Sequence, residues 1–148
     1  MTPADVPEGP LVIDTDVLSM VMWSKPRSRY REWEALVDGH MLAISFVTVA
    51  EVRAGALIAK FGEVRRSQLE ERIRQLVVLP ASDAVTTVYA QLFARFRSRL
   101  KGEGVNDMWI AACALAQNPA PLPIATANLS DFQTIASEFP LRIVHPDL

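Results

Sequence analysis

The stretch Leu11-Val12-Ile13-Asp14-Thr15-Asp16 restricts the fold more than any other part of the chain. Three consecutive apolar residues without polar alternation read as the close of a strand covered on both faces. Val17-Leu18-Ser19-Met20 follows at once and reads as helix. Asp14 therefore stands where a central strand ends and a helix begins. In open α/β sheets, ligands bind in the crevice outside the carboxyl ends of the strands. Asp14 is accordingly read as the first ligand of a divalent metal ion, with later acidic residues completing the site.

The remaining chain alternates in the same way. Further strands are expected at 41–44, 77–79, 122–125 and 141–144, each bounded by turn residues or prolines. Helices are expected at 30–39, 46–60, 63–75, 83–100, 106–117 and 129–139. Lys25-Pro26 breaks the first helix, and Lys101-Gly102-Glu103-Gly104 reads as a turn. This pattern gives an α/β fold, a central parallel sheet of about five strands with helices on both faces. Residues 1–10 are expected to be a disordered lead-in, and 11–148 a single domain.

Composition narrows the function. Half of the 148 residues are hydrophobic, enough for one sizeable core, yet no apolar run approaches the ~18 residues of a membrane span. The lead-in carries Asp5, Glu8 and three prolines and does not read as a secretory signal. One cysteine, Cys113, excludes an internal disulfide and a cysteine-based zinc site, so a cytoplasmic protein is expected. The net charge of −2 does not announce nucleic-acid binding. Any such role must rest on a local basic patch or on metal ions offsetting the acids. Arg95 and Arg99, in the run Arg95, Arg97, Arg99 and Lys101, are candidate phosphate contacts, and a solvated surface is the alternative. Arg27, Arg29 and Arg31 form a second such run.

Four acidic positions fall at element junctions. Asp14 caps the first helix or holds a metal. Glu51 shares a helix face with Thr48, Val52 and Gly55. That face looks inward, so its carboxylate needs either a site partner or a salt bridge such as Arg53. Gly55 is unfavourable in a helix and is read as allowing close approach of another element. Asp107 opens an apolar helix, where the helix dipole favours the ionised form, and ordinary capping is the alternative. Asn128 and Asp131 form a capping-box pattern, from which both side chains can also reach a metal. Carboxylates crowded at one sheet end repel one another unless a cation is present. Oxygen-only ligands select Mg²⁺ or Mn²⁺ over Zn²⁺. His40 and His145 fit no ligand spacing. Met20, Met22 and Trp23 are read as core packing, with a dimer or partner surface as the alternative.

The segments 12–18, 45–52, 106–112 and 126–132 resemble, in order, the four acidic segments of the PIN-domain family. The match is closest to its VapC-type toxin ribonucleases, and it covers about 11–144. Asp16 replaces the Asn or Ser usual in the first segment, and Asn128 stands where many members have Asp. The resemblance implies a PIN-like, Rossmann-like sheet and a metal-dependent endoribonuclease, often acting on structured RNA such as tRNA. It implies a cognate VapB-type antitoxin, a homodimer, and a heterotetramer or larger assembly with that antitoxin. Asp14, Glu51 and Asp107 would hold Mg²⁺ or Mn²⁺, and Asp131 would join them as a catalytic acid. Thr15, Asp16, Thr48, Thr126 and Asn128 would support them. Two alternatives stay open at this point. One is a haloacid-dehalogenase-like phosphatase with Asp14 as nucleophile and Asp16 as acid. The other is a catalytically silent binding module.

Overall fold

The computed structural model of the chain describes residues 1–25, 29–100 and 104–148. The expected break at Pro26, Arg27 of the second basic run, and residues 101–103 of the expected turn, Lys101 included, lie outside them. Five parallel strands form one sheet in the order β3-β2-β1-β4-β5. They are β1 (Leu11–Ile13), β2 (Leu42–Ser45), β3 (Val77–Leu79), β4 (Ile124–Ala125) and β5 (Ile143–Val144). Among the described residues seven α-helices connect and flank them. These are α1 (Thr15–Trp23), α2 (Tyr30–Val37), α3 (Phe46–Ile58), α4 (Glu63–Arg74), α5 (Asp83–Phe96), α6 (Gly104–Leu115) and α7 (Leu129–Ala136).

The sheet separates two cores, and alternation along each central strand feeds both. Leu11 and Ile13 of β1, Ile44 of β2 and Ala125 of β4 face a core built with α1, α2 and α4. Val12, Ala43 and Ile124 face the other, built with α5, α6 and α7. All three β1 residues are wholly buried, as their unbroken apolar run predicts. β3 departs from that reading. Its Val77 and Val78 are 43% and 41% exposed, because β3 is an edge strand with no neighbour on its outer side.

Local chemistry sets the element ends. Ser45 closes β2 and caps α3, its Oγ accepting from the Val47 amide at 3.0 Å. Ser82 does the same for α5 through the Val85 amide at 3.2 Å. Gly104 opens α6 rather than ending a turn. A Cβ there would lie 2.7 Å from Cβ of Leu100, so glycine lets α6 start hard against Leu100, four residues past the end of α5. Cys113 is buried on α6 beside the Ser45 hydroxyl, within the second core.

Residues 1–10 differ from the disordered lead-in expected of them. Thr2 donates to Asp5 Oδ2 through its amide (2.7 Å) and its hydroxyl (2.8 Å), closing a short 3-10 turn at Pro3–Asp5. Val6 then packs into the first core. Met1 packs against the same core, and scattered apolar residues among polar and proline neighbours give no periodicity to read. No helix among the described residues is long and apolar enough to cross a membrane.

Candidate active site

The strand order reverses between β1 and β4: the chain goes from β1 to β2 on one side and reaches β4 on the other. That is the switch point at which a crevice opens beyond the strand ends. Here it holds a cleft of about 460 Å³. Asp14, Glu51, Asp107 and Asp131 all line it, with Thr15, Asp16 and Asn128. Four segments spread over the chain thus deliver their acids to one place.

Asp14 directly follows β1 and is 4% exposed. Its Oδ1 accepts from the Val17 amide at 2.9 Å, which makes it the N-cap of α1. Its Oδ2 accepts from the Thr126 hydroxyl at 2.6 Å and the Ala127 amide at 3.1 Å, both just past β4. Capping and a site role are therefore compatible in one carboxyl group. Burial pushes its pKa up to about 6, against the pull of these three hydrogen bonds, and the neighbouring Asp16 charge adds to the rise.

Asp107 lies in the first turn of α6, half-buried. Its Oδ2 accepts from Asn128 Nδ2 at 2.8 Å, and the same amide nitrogen donates to Asp131 Oδ2 at 3.0 Å. Burial raises the Asp107 carboxyl to about 7; the Asn128 hydrogen bond opposes this, and the charges of Asp14, Asp131 and Glu51 reinforce it. Asp131 is itself buried, and its amide donates to Asn128 Oδ1 at 3.4 Å; the return half of the expected capping box is not made, because the Asn128 amide donates to the Thr126 hydroxyl at 3.0 Å.

Glu51 approaches from α3. Its Oε1 accepts from the Thr15 hydroxyl at 2.8 Å, which leaves Thr15 Oγ1 as acceptor for the Thr48 hydroxyl at 3.1 Å. Arg53, the alternative salt-bridge partner, pairs with Glu70 instead, at 2.9 Å through two nitrogens. Gly55 is not a point of close approach: a Cβ there meets nothing within 4 Å. Asp16 is exposed on the lip of the cleft.

Other expected positions fall elsewhere. Arg95 and Arg99 both bind Glu138, Arg99 at 2.9 Å, and neither lines the cleft. Glu138 lies seven residues beyond Asp131, ~10 Å along a helical path. His40 contacts the Gly9 carbonyl at 2.9 Å, and His145 packs edge-on against Trp33. Met22 is buried, and Met20 and Trp23 pack partly buried against the first core. Two contributors escaped sequence reasoning. The Ala127 amide donates to Asp14 whatever its side chain, so no residue type signals it. Ser130 lines the cleft from inside a segment already singled out for Asn128 and Asp131.

The donor set suits a hard divalent ion. The cleft offers carboxylate, hydroxyl and amide oxygens and neither His nor Cys. Raised carboxyls with repelling neighbours are what a cation would relieve. Among the described residues no three Asp, Glu, His or Cys side chains already form a metal-holding group. The acids line an open cleft rather than a closed cage, a setting suited to Mg²⁺, which keeps several waters and takes one or two carboxylates.

Comparison with known proteins gives a consistent picture. The PIN domain family model matches residues 11–130. Ribonuclease VapC5 of Mycobacterium tuberculosis is 32% identical over 117 residues, covering 75% of this chain and 80% of that protein. The crystal structure of VapBC-5 from the same organism, a member of the VapBC family of toxin-antitoxin systems, superposes with a TM-score of 0.63. It shares 28% identity and covers 92% of this chain and 98% of that one. VapBC2 from Rickettsia felis, solved bound to a promoter DNA fragment, gives a TM-score of 0.69 at 25% identity, covering 91% and 97%.

Proposed function

We propose, from the premise that this chain belongs to the PIN domain family, that it is a divalent-metal-dependent endoribonuclease and the toxin of a bacterial toxin–antitoxin pair. One observation carries the reading: Asp14, Glu51, Asp107 and Asp131 line a single cleft beyond the strand ends.

Asp14, Glu51 and Asp107 would hold Mg²⁺ or Mn²⁺. When bound, the ion supplies Lewis-acid stabilisation of charge on the phosphodiester and activation of a water. The chain's own residues do the positioning. Thr126, Val17 and Ala127 fix both oxygens of Asp14. Thr15 ties Glu51 to Thr48, and Asn128 spans Asp107 and Asp131. Hydrolysis requires a water oxygen to bond to phosphorus, one P–O ester bond to break, the water's proton to leave, and the departing ester oxygen to take up a proton from solvent as a hydroxyl. Asp131, buried beside Asp107, is the carboxylate assigned to receive that proton.

The partners follow from the same reading. The solved relatives are toxin–antitoxin complexes, which supports a cognate VapB-type antitoxin here. A homodimer, a heterotetramer or larger assembly with the antitoxin, and a structured RNA such as tRNA as substrate belong to the same proposal. Arg95 and Arg99 would add outlying phosphate contacts.

The phosphatase alternative is not favoured. The family model and the ribonuclease relatives do not support it, and it leaves Glu51, which lines the same cleft, without a role. A silent binding module has no use for four carboxylates crowded in one cleft, two of them raised to about 6 and about 7.

The test is cleavage of RNA by the purified chain with Mg²⁺ or Mn²⁺, stopped by EDTA. Asp107→Asn should lower the rate more than about 100-fold while thermal unfolding stays cooperative. Full activity in that variant removes Asp107 from the mechanism. Absence of cleavage by a folded, metal-supplied wild type overturns the reading.

A further inference from the structure

A second groove opens beside the catalytic cleft. It has a volume of about 480 Å³, lies between α1, α3 and α4, and shares Thr15, Asp16 and Glu51 with the cleft. Its far end is aromatic and cationic. Trp23 and Phe61 meet edge to face, with centroids 5.9 Å apart and planes at 86°. The Arg65 guanidinium lies 3.9 Å from the Phe61 centroid and 5.4 Å from that of Trp23. Among the described residues no carboxylate pairs with Arg65, which is exposed.

Gly55 lines the same groove. Glycine within a helix is unfavourable relative to alanine. Among the described residues no packing calls for it, because a Cβ there would meet nothing within 4 Å. Its effect is to leave the α3 side of the groove flat and open. Glu51 and Gly55 are one helical turn apart, ~6 Å along the axis, so the groove begins within a nucleotide's reach of the acids.

We infer that this groove is a nucleobase subsite: it takes an unpaired base of the RNA strand beside the phosphate held at the carboxylates. The inference rests on the ribonuclease reading and deepens it. Unpaired bases stack on aromatic rings and on arginine planes. The two ends of the groove ask for an occupant that is anionic along its backbone and flat in its side groups. With an ion held at Asp14, Glu51 and Asp107 one phosphate would sit there, and the neighbouring nucleotide lays its base on the outer face of the Arg65 guanidinium, which Phe61 and Trp23 back from the other side.

Binding separates this from the cleavage reading. The probe is a short fluorescent oligouridylate, compared with an abasic ribose-phosphate chain of the same length and charge, on Asp107→Asn protein to prevent cutting. The oligouridylate should bind about tenfold more tightly, the increment stacking provides. Gly55→Leu fills the groove with a good helix former and should erase the difference while keeping the melting temperature. Arg65→Lys keeps the charge and loses the plane. It should shrink the difference and leave the salt dependence unchanged. Equal affinity for the two chains in the Asp107→Asn protein overturns the subsite, as does a difference that survives Gly55→Leu. If Gly55→Leu weakens only the copurified antitoxin and not RNA, the groove belongs to a peptide and the inference fails. Base-dependent binding without any cleavage by wild type would overturn the ribonuclease reading and leave the groove standing.

Discussion

The Asn128 side-chain amide donates to Asp107 Oδ2 at 2.8 Å, and so places a neutral group where the four-acid resemblance has a carboxylate. The same nitrogen reaches Asp131 at 3.0 Å, so one amide quiets two acids. Asn128→Asp should reverse this. It removes a donor to both carboxylates and adds a like charge. The metal-free protein should lose roughly 1–3 kcal/mol, the cost of stranding a buried polar group, and should bind Mn²⁺ more tightly than wild type. Thermal melts with and without Mn²⁺ read both effects; an unchanged metal-free melting temperature would show that the bridge contributes nothing.

The raised carboxyls set a pH dependence of stability. Asp14 and Asp107 titrate near 6 and 7 in the fold, above their ordinary 3.8. Between pH ~4 and ~7 the folded state holds more protons than the unfolded chain, so these groups make stability fall as pH rises. His145, lowered by burial, works in the opposite sense in part of that window. Glu138 and Asp147, held low by arginines, act only at more acidic pH. The difference between wild type and Asp107→Asn isolates one group. The variant should gain stability over wild type as pH rises from 4 to 7. Stabilisation of wild type by Mn²⁺ should grow over the same range, measured by melting temperature. A constant gap between the two proteins would contradict the assignment.

Thr126→Val tests the 2.6 Å hydrogen bond to Asp14. The shapes match, and the hydroxyl is lost with both its bonds, the one to Asp14 and the one it accepts from the Asn128 amide at 3.0 Å. Asp14 Oδ2 keeps the Ala127 amide, so the expected loss is about 1–3 kcal/mol above neutral pH and smaller near pH 5. Thr126 is the strongest hydrogen bond lowering the Asp14 pKa, so that pKa should rise in the variant. Denaturant titrations at the two pH values give the comparison.

Arg95 and Arg99 share Glu138, so the cluster presents about one net positive charge rather than two. Replacing Arg95 and Arg99 by alanine together with Glu138→Gln removes that one net charge and should lower the salt slope of RNA binding by about one, where two independent phosphate contacts would lower it by about two. Stability should change by less than about 1 kcal/mol, since all three side chains are at least partly solvated. A salt series of binding constants decides.

Much of this was legible because it is local. The apolar triplet before Asp14, the Ser45 cap and the acids at element starts each declare themselves within a few residues. The parts that were not legible depend on partners far along the chain. Nothing near Arg95 points to Glu138, and nothing near Arg53 points to Glu70. Glu51 offered a salt bridge or a site role, and its Thr15 partner lies 36 residues away. Val77 and Val78 spell a buried strand, and only the sheet order exposes them. Gly55 was legible as an anomaly, but its meaning required knowing that nothing among the described residues packs on it.

Asp14 has duties besides the site: it caps α1 and fastens the turn after β4 to the end of β1. Under pressure to silence the activity, mutations should therefore accumulate unevenly. Changes at Glu51 or Asp107 extinguish the chemistry and leave a sound scaffold able to occupy its partners. Changes at Asp14 also loosen the seam between the halves of the sheet, and such chains should disappear by degradation rather than persist as inert decoys.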